Sequence, residues 1–170
     1  MSLFNAECCD SIVRWDYYNE EDIFEKFSSE EWQMMVRDVY SADEWKKFVI
    51  EYSDFVDCYI LRIQSNSEEI GFIYLYKESL SGHIVSIHGG GWGKSMHLSR
   101  LYYRGMMLMV EHLLNKGLKV HTSCKIENER AYRFLHSMGF VKYCSSDRYH
   151  YMWINETRLK NSKIYKYVYR

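Results

Sequence analysis

The sequence predicts a single α/β domain built on a mixed, mostly antiparallel sheet with helices on both faces. Three observations lead there. Segments with strand-like alternation are interleaved along the chain with segments whose apolar residues recur at helical spacing. Residues 58–64 and 70–76 are strand-like and are joined by the polar run Ser65, Asn66, Ser67, Glu68 and Glu69, which makes a hairpin. Residues 119–125 run as a strand into a capped, glycine-stopped helix, and a further strand follows. At 170 residues, 47% of them apolar, the chain is long enough to bury one good core.

Taken in order, residues 11–18 read as the first strand. Residues 19–52 turn helical, with two capping boxes, Ser28 with Glu31 and Ser41 with Glu44, each opening a helix. The second helix shows Trp45, Phe48, Val49 and Tyr52 on one face. The acidic cluster Glu20, Glu21, Asp22 and Glu25 suits the solvated N-terminus of the first helix, or else attracts a cationic acceptor. After the hairpin, residues 83–88 form a fourth strand that ends in a glycine-rich stretch. Leu98, Leu101, Tyr102, Gly105, Leu108 and Met109 then mark a long helix, closed by Asn115, Lys116 and Gly117. Residues 141–145 and 149–155 make a last hairpin around Ser146 and Asp147. The domain is expected to span residues 1–155. Residues 156–170 form a basic, Tyr-rich tail that adds an edge strand or an interface, with a homodimer as one outcome.

The unit over 128–140 is the most informative stretch. Ala131, Phe134, Leu135 and Met138 fall at i, i+3, i+4 and i+7 and line one helix face. Asn128 caps the start, Glu129 suits the positive end of the dipole, and Gly139 sits where the chain leaves the helix left-handed.

Composition narrows the function classes. A formal net charge of −1 supplies no global field for nucleic acid or an anionic membrane. Five cysteines, odd in number and without Cys-x-x-Cys spacing, argue against a disulfide framework or a structural zinc site and fit a reducing cytoplasm. No apolar run approaches the roughly 20 residues of a membrane span. No metal site is expected.

His88-Gly89-Gly90-Gly91-Trp92-Gly93-Lys94-Ser95 comes within one residue of a phosphate-binding loop, Gly-x-x-x-x-Gly-Lys-Ser/Thr, which would make the protein an NTPase. His88 stands where the first Gly should be, and neither later strand ends in an Asp for magnesium. His-Gly-Gly-Gly also occurs in esterase oxyanion loops, but the chain has no Gly-x-Ser-x-Gly.

The spacing Asn128-x-x-Ala131-x-x-Phe134-x-x-x-x-Gly139-Phe140 resembles the motif of the GNAT superfamily of acyl-CoA N-acyltransferases, and the element order over residues 11–155 matches that fold. The resemblance implies a splayed pair of fourth and fifth strands, whose gap takes the pantetheine arm of acetyl-CoA. It implies that a loop of pattern Gln/Arg-x-x-Gly-x-Gly/Ala holds the pyrophosphate at the next helix N-terminus, where free amides and the dipole converge on an anion. Matching glycines places that loop at 88–93, with His88 for Gln/Arg and an overlong helix after it. Counting back from Gly117 places it instead at His97, Leu98, Ser99, Arg100, Leu101 and Tyr102, the placement preferred here. Trp92, Gly93, Lys94 and Ser95 then lead into it, and Asn128 is a further contact to the cofactor.

Acetyl transfer to an amine needs a base for the ammonium proton, donors for the thioester oxygen and an acid for the departing thiolate. Many family members carry a Tyr for that last task where this chain has Leu135. His88, at the end of the fourth strand, is the candidate base, and His136 or Ser137 the candidate acid. The first helices and the last hairpin are expected to wall the acceptor, a small-molecule primary amine or a peptide N-terminus, with Trp32, Trp45, Tyr149, Tyr151 and Trp153. A non-catalytic module that keeps the fold is the alternative, favoured by Leu135 and the missing loop glycines.

Overall fold

The structure is a computed structural model, and it describes residues 2–18, 42–78, 81–91 and 96–169. The acidic cluster at 20–25, the Ser28 box, Trp32, Ser41, and Trp92 to Ser95 lie outside the described residues.

Eight strands form one sheet in the order β1-β2-β3-β4-β5-β6-β8-β7. They are β1 (Cys8–Cys9), β2 (Val13–Tyr18), β3 (Val56–Ile63), β4 (Glu69–Lys77), β5 (Ile84–Gly91), β6 (Lys119–Lys125), β7 (Val141–Ser145) and β8 (Tyr149–Ile154). The described helices are α1 (Ala42–Glu51), α2 (Met96–Asn115), α3 (Glu129–Ser137), α4 (Glu156–Asn161) and α5 (Lys163–Val168). Every pairing is antiparallel except β5 with β6. The two hairpins and the strand–helix–strand unit stand where the sequence puts them. β1 was not foreseen, because two residues carry no readable period.

Alternation sorts the side chains between the two faces. Trp15, Tyr59, Leu61, Ile73, Leu75, Val85, Ile87 and Val120 point one way and share a core with Met106, Met107, Met109, Val110 and Leu113 of α2. Leu135 of α3 and Leu159, Ile164 and Val168 of the last two helices join the same core. Trp15 ties β2 to α2 by donating its indole N–H to the carbonyl of Gly105 at 2.7 Å. The other face carries Cys58, Ile60, Phe72, Tyr74 and Tyr76, and Tyr52, just beyond α1, meets Tyr76 edge-on.

The N-terminal segment is fastened to β3 by a buried carboxylate. Asp57, 2% exposed, accepts from the backbone N–H groups of Leu3 and Phe4, from the Ser2 hydroxyl and from the Tyr59 hydroxyl, at 2.7–2.9 Å.

The tail departs from the expected edge strand. Residues 156–168 form two short helices, capped by Asn155, which accepts from the Arg158 N–H, and by Ser162, which accepts from the Tyr165 N–H. Leu159 is fully buried, and Ile164 and Val168 lie at i and i+4 on the buried side. The tail is part of the core.

Candidate functional site

The site begins where β5 and β6 part. They pair only at Ile84 with Lys119, Val85 with Val120 and Ser86 with His121. Beyond that, β5 continues in full register with β4 to Gly91, and β6 continues with β8 to Lys125. Each strand therefore holds its outer neighbour and releases its inner one. At the vertex the Thr122 hydroxyl, buried, donates to the Ile87 carbonyl at 2.7 Å, a side chain standing in for the lost backbone pairing.

α2 starts above this gap, and its first residues correct the expected loop. His97, Leu98, Ser99, Arg100, Leu101 and Tyr102 form the first turns of a helix that runs 20 residues from Met96. Only the leading turn of a helix has amides without an internal partner, so those of Arg100, Leu101 and Tyr102 are spent inside α2. Leu101 and Tyr102 are 8% exposed and face the core. The Arg100 guanidinium lies 5.0 Å over the Tyr167 ring. The alternative placement at 88–93 is not a loop either over its described part, because His88 to Gly91 belong to β5. That also removes the wrap of a phosphate-binding loop, which would begin at His88.

Tyr102 explains two of the glycines. Gly71 and Gly91 are register partners on β4 and β5, and a Cβ on either would come within 2.6–2.7 Å of the Tyr102 ring. The ring occupies the space that side chains at Gly71 and Gly91 would fill, which lets the start of α2 settle close to β4 and β5.

α3 follows β6 and packs on α2 through Phe134. Asn128 caps it, its side-chain oxygen accepting from the Ala131 N–H at 3.0 Å. Phe134 meets Tyr103 of α2 with ring centroids 5.2 Å apart, and Leu135 is buried in the core. Gly139 leaves the helix at φ +102°. His136 is exposed and Ser137 half-buried at the C-terminal end of α3. Tyr132 is stacked on the side of His136, and 5.1 Å from His150 of β8, away from α2.

His88 stands two residues past Ser86, on the face opposite α2. Its Nε2 is 2.9 Å from the Ser86 hydroxyl, and its ring stacks on Tyr74 at 4.9 Å and 17°. Desolvation lowers its pKa from 6.5 to about 4, so the imidazole is neutral near pH 7. On the same face, His121 presents Nδ1 to Glu78 Oε2 at 3.4 Å and has Tyr143 at 5.5 Å. Tyr149, Tyr151 and Trp153 are the register partners of Lys125, Ser123 and His121, which puts three aromatics of the last hairpin on this face. Ser86, Thr122, Glu78 and His121 were not singled out from sequence. Alternation in 119–125 separates His121 from Val120 and Thr122, but only the register of β5 on β6 brings it beside Ser86. Among the described residues, no group of three or more His, Cys, Asp or Glu is placed to hold a metal ion.

No protein-family profile matches the sequence, and no curated protein sequence matches it. Solved structures do. A GCN5-related N-acetyltransferase from Brucella melitensis superposes with a TM-score of 0.68 at 12% identity, over 96% of this chain and 83% of that one. FdhC in its apo form, described as a nucleotide-linked sugar GNAT, gives 0.65 at 14% identity, over 93% and 94%. The aminoglycoside acetyltransferase AAC(6')-Ib in complex with coenzyme A gives 0.62 at 19% identity, over 87% and 97%. At these identities the likeness is one of fold. The chain has the GNAT fold.

Proposed function

We propose that the protein is an N-acetyltransferase that moves the acetyl group of acetyl-CoA to a primary amine or a peptide N-terminus by direct attack. The observation that carries this reading is the parting of β5 and β6 after Ser86 and His121. Backbone groups on the inner edges of two strands turn into a gap with no strand partner, which suits an extended amide-bearing arm. Acetyl-CoA would bring such an arm and, at its end, a thioester carbonyl as electrophile.

The surrounding residues fit that donor. The leading amides of α2, and the Lys94 and Ser95 side chains before it, would meet the pyrophosphate. Asn128 spends its oxygen on the cap, which leaves its amide N–H₂ to donate to the arm. The acceptor would approach from the face of His88, Tyr149 and Tyr151. His88, the base expected from the sequence, stands on that face as a neutral imidazole, and His136 and Ser137 are candidates for protonating the thiolate. The cytoplasm suits five unpaired cysteines. No described helix is long and apolar enough to cross a membrane. A homodimer through the tail would use the exposed rings of Tyr167 and Tyr169. The second reading, a non-catalytic CoA-binding or interaction module, draws on Leu135, which fills the proton donor's usual place with a buried apolar side chain.

The test is thermal. Acetyl-CoA at 100 times its Kd should stabilise the protein by about 2.7 kcal/mol. Asn128→Asp keeps a capping oxygen and removes the donor, so it should melt like the wild type yet gain less from the ligand. Free thiol released across a panel of amines then separates turnover from storage. No stabilisation at millimolar acetyl-CoA would sink both the enzyme and the CoA-binding module.

A further inference from the structure

We propose that Glu78 and His121 form a carboxylate–imidazole dyad that takes the proton from the acceptor amine. This rests on the N-acetyltransferase reading and adds to it the group that receives the proton. His121 stands at the last position where β5 and β6 pair, opposite Ser86 and therefore at the vertex of the gap. It projects to the face that α2–α5 leave uncovered, since its neighbours Val120 and Thr122 point into the core side.

Two observations give the ring a direction. Its Nδ1 is buried without a hydrogen bond, and the nearest carboxylate oxygen, Glu78 Oε2, lies 3.4 Å away. A carboxylate on that side selects the Nδ1–H tautomer and turns the Nε2 lone pair outward, the arrangement that equips an imidazole as a base. The Glu78 main chain is held, its backbone N–H donating to the Ile84 carbonyl at the start of β5. The charged and titratable groups in contact with the ring are Glu78 and Tyr143 of β7, and the register partner Trp153 carries Arg158 over its own ring. Lys119 lies two residues along the same strand, and His88 is reached through Ser86.

His88 is less suited to the task. Its Nε2 is engaged by Ser86 and its ring is covered by Tyr74, so it acts better as a neutral wall of the site. The proton count closes with His121. The ammonium gives one proton to Nε2, and the freed lone pair forms the C–N bond to the acyl carbon. The C–S bond breaks with its pair on sulfur, and the second proton leaves the amine nitrogen and reaches that sulfur through the thiolate's acid, His136 or Ser137 in the reading above. The imidazolium then returns its proton to water, so the sum is amide, thiol and one proton.

The dyad is tested first without turnover, by ¹⁵N chemical shifts of the His121 ring in the free protein at neutral pH. The Nδ1–H tautomer is expected in the wild type, and Glu78→Gln should shift the balance toward Nε2–H. In kinetics, His121→Gln should lower kcat/KM about 100-fold and leave the acetyl-CoA thermal shift unchanged. Glu78→Gln should cost less in kcat/KM, because the ring stays in place and only the group that selects its tautomer is changed. A predominant Nε2–H tautomer in the wild type, or wild-type kcat/KM in His121→Gln, overturns the dyad. If His121→Gln does not fold, Glu78→Gln decides, and a ring tautomer unchanged from the wild type overturns the dyad. If acetyl-CoA binds and no amine is acetylated, the N-acetyltransferase reading fails separately and the tautomer alone decides the dyad.

Discussion

His88 shows how position alters chemistry that residue type alone suggests. A histidine at a strand end reads as a base because its ordinary pKa lies near neutrality. Packed between Tyr74 and Ser86, it loses water and its pKa falls to about 4. The sign of the resulting pH effect follows from proton binding. Between pH 6.5 and 4 the unfolded chain protonates this residue and the folded one does not, so unfolding takes up a proton there. His88 therefore contributes full stability above about pH 6.5, and that contribution is lost as pH falls toward 4. Below 4 both states are protonated and the loss from this group stops. Melting temperatures of the wild type and His88→Gln across pH 7 to 4 should show a steeper decline in the wild type. Parallel curves would mean that His88 is not desolvated in solution. His112, also lowered by burial, is common to both proteins and drops out of the comparison.

Among the elements, the tail was hardest to read from sequence, and the reason is physical. In Ile164-Tyr165-Lys166-Tyr167-Val168-Tyr169 every second position after Tyr165 is aromatic, which satisfies a period of two. The same segment places Ile164 and Val168 at i and i+4, which satisfies a helix. Ser162 decides between them, because its hydroxyl accepts the Tyr165 N–H and starts a turn. The 128–140 unit was legible because all its signals agree: Asn128 caps, the apolar stripe keeps helical period, and Gly139 turns left-handed. Since Leu159 is fully buried among the residues packed on α2, Leu159→Ala should cost about 2–5 kcal/mol in denaturant unfolding. A loss below 0.5 kcal/mol would show the tail to be detached in solution.

At the scale of the whole molecule, hairpins and helix faces could be read locally, whereas the gap between β5 and β6 could not. It is set by partners far apart in sequence: β4 holds β5 to its end, β8 holds β6 to its end, and each pull is independent of the other. No residue in 84–91 or 119–125 encodes the divergence alone, although Thr122 marks it by reaching for the Ile87 carbonyl. The start of α2 was misplaced for a related reason. Gly91 reads as loop until Gly71, opposite it, and Tyr102, above both, are brought together by folding. Amide exchange gives this geometry a direct reading. Along residues 87–91, amides turned to β4 are bonded in the sheet, and those turned to β6 face the gap. The second set should exchange faster in the free protein, giving an alternation of fast and slow amides along one strand. Acetyl-CoA at 100 times its Kd should slow the fast set, by up to about 100-fold where exchange requires release of the ligand. Amides of β2 paired with β3 should change only as far as global stability does. Uniform slow exchange along 87–91 in the free protein would mean that the strands close in solution, and the acetyl-CoA site would have to be sought elsewhere.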